Sequence, residues 1–169
     1  MSKKSSVAIA MSGGVDSSVA AALLQEEGLD VIGVTFRLFG CEIASPDNRG
    51  CCSQQDVADA MRVANALGIE HEVVDFSHEF AKHVIGPFVD GYRRGETPNP
   101  CIPCNEHLKF DALVDWARSL GVDAVAPGHH AALNRPDGRW SLARAPHPAT
   151  DPSSLLFPPT PHPVPQRLS

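Results

Sequence analysis

No apolar run in the sequence approaches the ~20 residues that a bilayer-spanning helix requires, which argues against a membrane protein. Basic charge is also short. Fourteen Lys and Arg face 20 Asp and Glu, a net charge of −6, the reverse of what a broad nucleic-acid-gripping surface needs. Any contact with RNA must therefore be local. Cysteines number five, at 41, 51, 52, 101 and 104, an odd count that fits metal or catalytic roles better than a disulfide framework. The apolar stretch after Met1 to Ser6 is cut at once by Ser12, Gly13, Gly14 and Asp16, so no signal peptide is expected, and the expected compartment is the cytoplasm. There is no internal repeat, collagen period or coiled-coil heptad. What remains, 43% hydrophobic and 20% charged in 169 residues, suits one globular domain with a real core.

Proline divides the chain. Eight of its 15 prolines lie between Pro146 and Pro165. We read residues 1–145 as the folded domain and 146–169 as an extended or disordered tail. Within the domain, strands and helices alternate. Val7 to Met11 is all apolar, as expected of a strand buried on both faces of a parallel sheet. A helix from Asp16 to Glu27 follows, then a strand from Val31 to Leu38 and a loop from Phe39 to Cys52. The pattern continues with a helix from Ser53 to Leu67, a strand from Glu70 to Phe76, and a helix from Ser77 to Arg94 with a break near Gly86-Pro87. A proline-rich loop, Gly95 to Cys104, leads into a helix from Asn105 to Leu120, a fourth strand from Asp123 to Ala126 and a fifth from Trp140 to Arg144. Such alternation predicts an α/β fold: an open, mostly parallel sheet with helices on both faces. Ligands of these sheets sit beyond the carboxyl ends of the strands.

The strongest local signal is Ser12-Gly13-Gly14-Val15-Asp16-Ser17-Ser18, between a buried strand and a helix. Two glycines let the backbone approach a phosphate, and the amides that open a helix favour an anion. Ser12, Ser17 and Ser18 add hydroxyl donors, and Asp16 can hold magnesium or cap the helix. The bland alternative is a Gly-rich turn capped by Asp16. Neither the Walker pattern nor GxGxxG is present.

The second signal is Thr97-Pro98-Asn99-Pro100-Cys101-Ile102-Pro103-Cys104-Asn105, followed by Lys109-Phe110. Three prolines stiffen this loop and bring Cys104 to the start of the next helix. A helix N-terminus favours the thiolate and makes a better nucleophile. Three readings stay open: a nucleophilic Cys104, a metal or cluster half-site made by Cys101 and Cys104, and a capping turn with inert thiols. Cys51 or Cys52 is the candidate third ligand of such a cluster, and Cys41 reads as a loop thiol. His71, His78, His83 and His107 read as surface residues, as do Asp56, Asp59, Arg93 and Arg94. His129-His130 read as solvated or as a phosphate contact.

Ser-Gly-Gly-x-Asp-Ser after the first strand resembles the PP-loop of the ATP pyrophosphatase superfamily, with its Rossmann-like, adenine nucleotide alpha hydrolase-like domain. Together with Thr97-Pro-Asn-Pro100, Cys104-Asn105, Lys109-Phe110 and Gly128-His129, the sequence resembles the tRNA-specific 2-thiouridylases from about Val7 to Arg144. The resemblance implies that Ala10, Met11, Ser12, Gly13, Gly14, Val15, Asp16 and Ser17 bind ATP, with Phe36 and Gly128 also touching the nucleotide. It implies that Asn99, Pro100 and Cys101 approach the target base, that Lys109 and Asp151 contact tRNA, and that Cys104 and Asp16 serve catalysis, Cys104 as nucleophile. The implied reaction is 2-thiolation of the wobble uridine. Uridine O2 is adenylated by ATP with Mg2+, and a persulfide sulfur from a relay protein or cysteine desulfurase displaces AMP. A [4Fe–4S] cluster is the alternative sulfur chemistry.

The sequence also departs from that family. Members are about twice this length, and the second catalytic cysteine lies in the part not seen here. Thr150-Asp151-Pro152 stands where the family has Lys-Asp-Gln, and Pro127 where Thr is common. The expectation is a truncated or frame-shifted half-enzyme. The competing functions are a nucleotide- or metal-binding remnant without turnover, and an amidating ATP pyrophosphatase.

Overall fold

The computed structural model describes residues 4–38, 54–126, 128, 132–134 and 141–143. Four parallel strands make the sheet: β1 (Ser6–Ala10), β2 (Asp30–Arg37), β3 (Glu70–Asp75) and β4 (Ala124–Ala126), in the order β3-β2-β1-β4. β1 is central because it is the most uniformly apolar segment. Val7, Ala8 and Ile9 are each at most 2% exposed, as a strand covered on both faces must be. The chain runs from β1 outward through β2 to β3, then returns to add β4 on the other side. The direction of winding therefore reverses between β1 and β4, the position where open α/β sheets form a ligand crevice.

The two faces have separate cores. On one, α1 (Val15–Glu26) and α2 (Gln54–Leu67) pack Ala21, Ala60 and Ala64 against Ile9, Met11 and Val31. On the other, Val34, Phe36, Leu38 and Phe76 meet Val84, Leu108 and Leu113. Small alanines at the first interface let the helices approach the sheet closely. The second core is filled by larger side chains. Successive residues of β2 thus serve opposite faces, as strand geometry requires.

The second face carries two long helical runs. The first passes through α3 (Ser77–Phe80), a π-helical segment (Ala81–Ile85) and α4 (Gly86–Arg93) without interruption. The expected break at Gly86-Pro87 is absent. Proline removes an i→i−4 hydrogen bond and crowds the preceding turn. The wider π turn ahead of it, where the Gly86 amide donates to the Ala81 carbonyl, absorbs both effects. The second run comprises α5 (Cys101–Cys104), a π segment (Asn105–Ala112) and α6 (Leu113–Ser119). It begins four residues before the sequence reading placed it. Pro103 lies in the first turn, where a missing N–H costs nothing.

The supposed fifth strand is not part of the parallel sheet. β6 (Ser141–Ala143) pairs antiparallel with β5 (Ala132–Asn134) in a separate two-stranded ribbon. At the amino edge of the main sheet, the Ser6 amide and hydroxyl both donate to one Asp123 carboxylate oxygen, at 2.9 and 3.0 Å, and the Asp123 amide donates back to the hydroxyl at 3.2 Å. This clamp holds the start of β4 beside β1, and with it the loop that carries Gly128. The proline-rich segment 146–169 lies outside the described residues. No described helix is long and apolar enough to cross a membrane.

Candidate nucleotide site

The loop between β1 and α1 is anchored before it is exposed. Met11 is buried at 2% exposure. Its amide donates to the Val34 carbonyl at 2.8 Å and its carbonyl accepts the Thr35 hydroxyl at 2.8 Å. Both backbone groups of Met11 are thus engaged by β2, so Met11 anchors the loop, and the groups open to a ligand begin at Ser12. Gly13 has φ +73°, a left-handed conformation that glycine alone adopts cheaply. A Cβ there would stand 2.5 Å from the Asp56 carbonyl oxygen in the first turn of α2. Asp56 is therefore more than a solvated helix position: its backbone is the wall against which the loop closes.

α1 opens at Gly14 with no side-chain cap. The serines turn inward. The Ser17 and Ser18 hydroxyls donate to the Gly14 carbonyl at 3.2 and 2.8 Å, and the Ser12 amide donates to the Ser17 oxygen at 3.3 Å. These bonds hold the loop in shape while the helix start faces out with Val15 and Asp16 exposed. Uncapped first-turn amides together with the helix dipole attract an anion.

Gly128 closes the other side. It follows β4 with φ +67°, and a Cβ there would lie 3.5 Å from Ser17 and 3.7 Å from the Ala10 carbonyl oxygen. Residues more than 100 positions apart in sequence therefore share the crevice between β1 and β4. Phe36 is placed differently. Its ring is 6% exposed and meets Phe76 edge to face at 5.1 Å, so the side chain belongs to the core and offers no stacking surface. Pro127, His129 and His130 lie outside the described residues.

Cys104 sits one full turn inside its helix. Its amide already donates to the Pro100 carbonyl at 3.2 Å, and Cys101 holds the opening position where the sequence reading had put Cys104. Asn99 shapes the approach to this start: its side-chain oxygen accepts the Cys101 amide at 3.0 Å, an Asx turn ahead of the helix. The preceding loop is fixed by Pro98 on Gly91 of α4, where a Cβ would come within 2.9 Å of the proline ring. Cys101 is exposed and Cys104 half-buried, and the two are not joined in a disulfide. Cys104 packs against the second core, on the sheet face opposite α1. Lys109 follows in the π segment, half-buried.

Three of the histidines read as surface residues are not simply solvated. His71 bonds Thr35 at 2.9 Å, and burial lowers its pKa. His83 and His107 stack at 4.6 Å between ring centres, and burial followed by the charge of His107 lowers the pKa of His83. Cys41, Cys51, Cys52 and Asp151 lie outside the described residues. Among the described residues no group of three His, Cys, Asp or Glu side chains could hold a metal ion.

A buried parallel strand, a glycine loop anchored by its neighbour strand and a glycine from across the winding reversal define a phosphate-binding α/β domain of the PP-loop kind. Residues 5–163 match the family described as the tRNA methyl transferase HUP domain, and the chain belongs to that family. It is 46% identical over 155 residues to the tRNA-specific 2-thiouridylase MnmA of Rickettsia conorii, covering 92% of this chain and 42% of that protein. The namesake from Methylorubrum extorquens is 47% identical over 156 residues, covering 92% and 40%. The chain thus spans about two-fifths of the length of these relatives. Among solved structures, a predicted subunit of tRNA methyltransferase from Methanocaldococcus jannaschii shares the fold, with a TM-score of 0.50 and 19% identity over 89% of this chain and 62% of the other.

Proposed function

We propose that this chain is the nucleotide-binding, uridine-activating part of a tRNA 2-thiouridylase. The observation that carries this is the juncture of β1 and β4, where Gly128 lies against Ser17 and Ala10 at either end of the loop, combined with 46% identity to enzymes of that name. In this reading the amides from Gly13 to Ser17 take the β and γ phosphates of ATP. Asp16, exposed in the first turn of α1, faces the Mg2+ that accompanies them. Charge builds on pyrophosphate as it leaves, and fixed N–H dipoles stabilise it without reorganising.

The substrate oxygen is uridine O2, which attacks the α phosphate and releases pyrophosphate. An amide-like oxygen leaves poorly until adenylated. Sulfur, the stronger nucleophile, then displaces AMP. Asn99, Pro100 and Cys101 form the rim that the base approaches. The outer sulfur of a persulfide on a relay protein or cysteine desulfurase makes the C2–S bond as AMP leaves, and Cys104 is the nucleophilic thiol that then attacks the donor's inner sulfur, breaking the S–S bond to free 2-thiouridine and leaving a mixed disulfide. Lys109 meets the RNA backbone. The acidic surface of the chain is consistent with tRNA being gripped elsewhere, so this part contributes the chemistry rather than the affinity.

The test is pyrophosphate release from MgATP in the presence of unmodified tRNA, followed by nucleoside mass spectrometry after adding a persulfide donor. tRNA-dependent release and a 2-thiouridine peak are expected. Binding of ATP without release would favour a nucleotide-binding protein without turnover. Release that persists after Cys104→Ser and requires ammonia would favour an amidating ligase.

A further inference from the structure

His71 and Thr35 make a chain of hydrogen bonds that ends on the phosphate loop. The register of the sheet pairs His71 of β3 with Gly33 of β2. A Cβ at Gly33 would stand 2.7 Å from the Met11 sulfur and 3.0 Å from His71 Cδ2. The missing side chain is what lets the imidazole lie across β2 and reach the diagonal neighbour, Thr35, at 2.9 Å. Thr35 is 1% exposed, and its hydroxyl contacts the Met11 carbonyl at 2.8 Å.

The direction of each bond follows from the proton count. A carbonyl can only accept, so the single hydroxyl proton of Thr35 goes to Met11. The Thr35 oxygen must then accept from Nε2–H of His71. This fixes the tautomer and leaves Nδ1 bare. That nitrogen is buried with no hydrogen-bond partner among the described residues, which a bare lone pair tolerates better than a second N–H would. The depressed pKa of His71, caused by burial, agrees with a neutral ring.

We propose that His71 and Thr35 are positioning residues: the relay His71 Nε2–H to Thr35 Oγ–H to the Met11 carbonyl sets the base of the loop whose amides receive the nucleotide phosphates. The proposal rests on the nucleotide reading for its consequence but not for its geometry. Met11 is held on its N–H side by the Val34 carbonyl. The relay holds the other side, so the peptide plane between Met11 and Ser12 cannot rotate without breaking it. Ser12 and Gly13 hang from that plane. His71 stands on β3, Thr35 on β2 and Met11 just past the end of β1, so the base of the loop is set by the sheet while the serine bonds shape the turn beyond it.

The experiment compares the unaltered chain with Thr35→Val, Thr35→Ser, His71→Leu and His71→Gln. It reads amide hydrogen exchange at residues 11–14, the imidazole 15N shifts and calorimetric affinity for MgATP. In the unaltered chain a protonated Nε2 and a bare Nδ1 are expected. Thr35→Val and His71→Leu should speed loop exchange and weaken MgATP binding about fivefold to tenfold, the worth of one net hydrogen bond. Exchange in α6 should stay unchanged. Thr35→Ser and His71→Gln, which keep the hydroxyl and an N–H donor, should restore most of both. Loop exchange unaffected by Thr35→Val, a loss spread equally over α6, or no rescue by Thr35→Ser would each overturn the relay. If the unaltered chain binds no MgATP, the nucleotide reading fails while the exchange and 15N data still decide the relay.

Discussion

Replacing Gly13 by alanine tests the loop geometry most sharply, because two separable costs arise there. The first is conformational. A residue other than glycine at φ +73° loses about 1–2 kcal/mol. The second is steric. The new Cβ would lie 2.5 Å from the Asp56 carbonyl oxygen and 3.0 Å from its Cα, and both are backbone atoms of a packed helix. They cannot swing aside as a side-chain tip would, so either the loop or the start of α2 must move, at about 1–3 kcal/mol. Gly121 supplies the control. It has φ +72° but nothing within 4 Å of an added Cβ, so Gly121→Ala carries the first cost alone. At roughly 3 °C per kcal/mol for a domain of this size, Gly121→Ala should melt about 3–6 °C low and Gly13→Ala about 6–15 °C low. Differential scanning calorimetry measures both. Titration with MgATP should then show at least a tenfold loss for Gly13→Ala and none for Gly121→Ala. Equal melting of the two variants would refute the steric contact. Equal affinities would refute the loop as the phosphate site.

Three further outcomes follow. Leu113→Ala, at a fully buried position of the second core, should cost about 2–5 kcal/mol in urea denaturation, whereas the exposed Leu120→Ala should cost under about 1 kcal/mol. Cys104→Ser should abolish 2-thiouridine formation and leave the melting temperature within a degree or two, since the thiol is only half-buried; retained thiolation removes Cys104 from the reaction. Asp75 has its pKa lowered to about 2, first by hydrogen bonds from the Ser77 side chain and backbone and then by the Arg37 guanidinium. A carboxylate depressed in the folded state stabilises above its ordinary pKa near 4 and loses that contribution as the pH falls toward 2. Asp75→Asn should therefore flatten acid denaturation across that window, and an unchanged profile would count against a stabilising role for these bonds.

The parallel sheet was legible because β1 is uniformly apolar and strands alternate with helices that glycines close at Gly28 and Gly68; the order β3-β2-β1-β4 came from the structure. The loop after β1 was legible from its glycine pair together with the apolar strand before it and the helix after it. Three features were not. The start of α5 was hidden by Pro103, which reads as a breaker in sequence but is harmless in a first turn. The π segments were hidden because a widened turn has no compositional mark, although Pro87 in the middle of a helical pattern is its physical cause. The relay was hidden because His71, Thr35 and Met11 are brought together by strand register, 36 and 24 positions apart, and period-based reading assigns a histidine on an edge strand to solvent. Gly128 stands between these cases. Its type and place after β4 hinted at the site, but its contact with Ser17 needed the winding reversal to be seen.

The claim beneath all of this is that the turn after β1 grips the phosphates of ATP at the β1–β4 crevice. Amide chemical shifts of the 15N-labelled chain during MgATP titration address it directly. The largest saturable changes should fall on residues 12–17 and 128, with α6 and the amino edge of the sheet near Ser6 and Asp123 unmoved. Saturable shifts centred elsewhere, or none at millimolar MgATP, would contradict it.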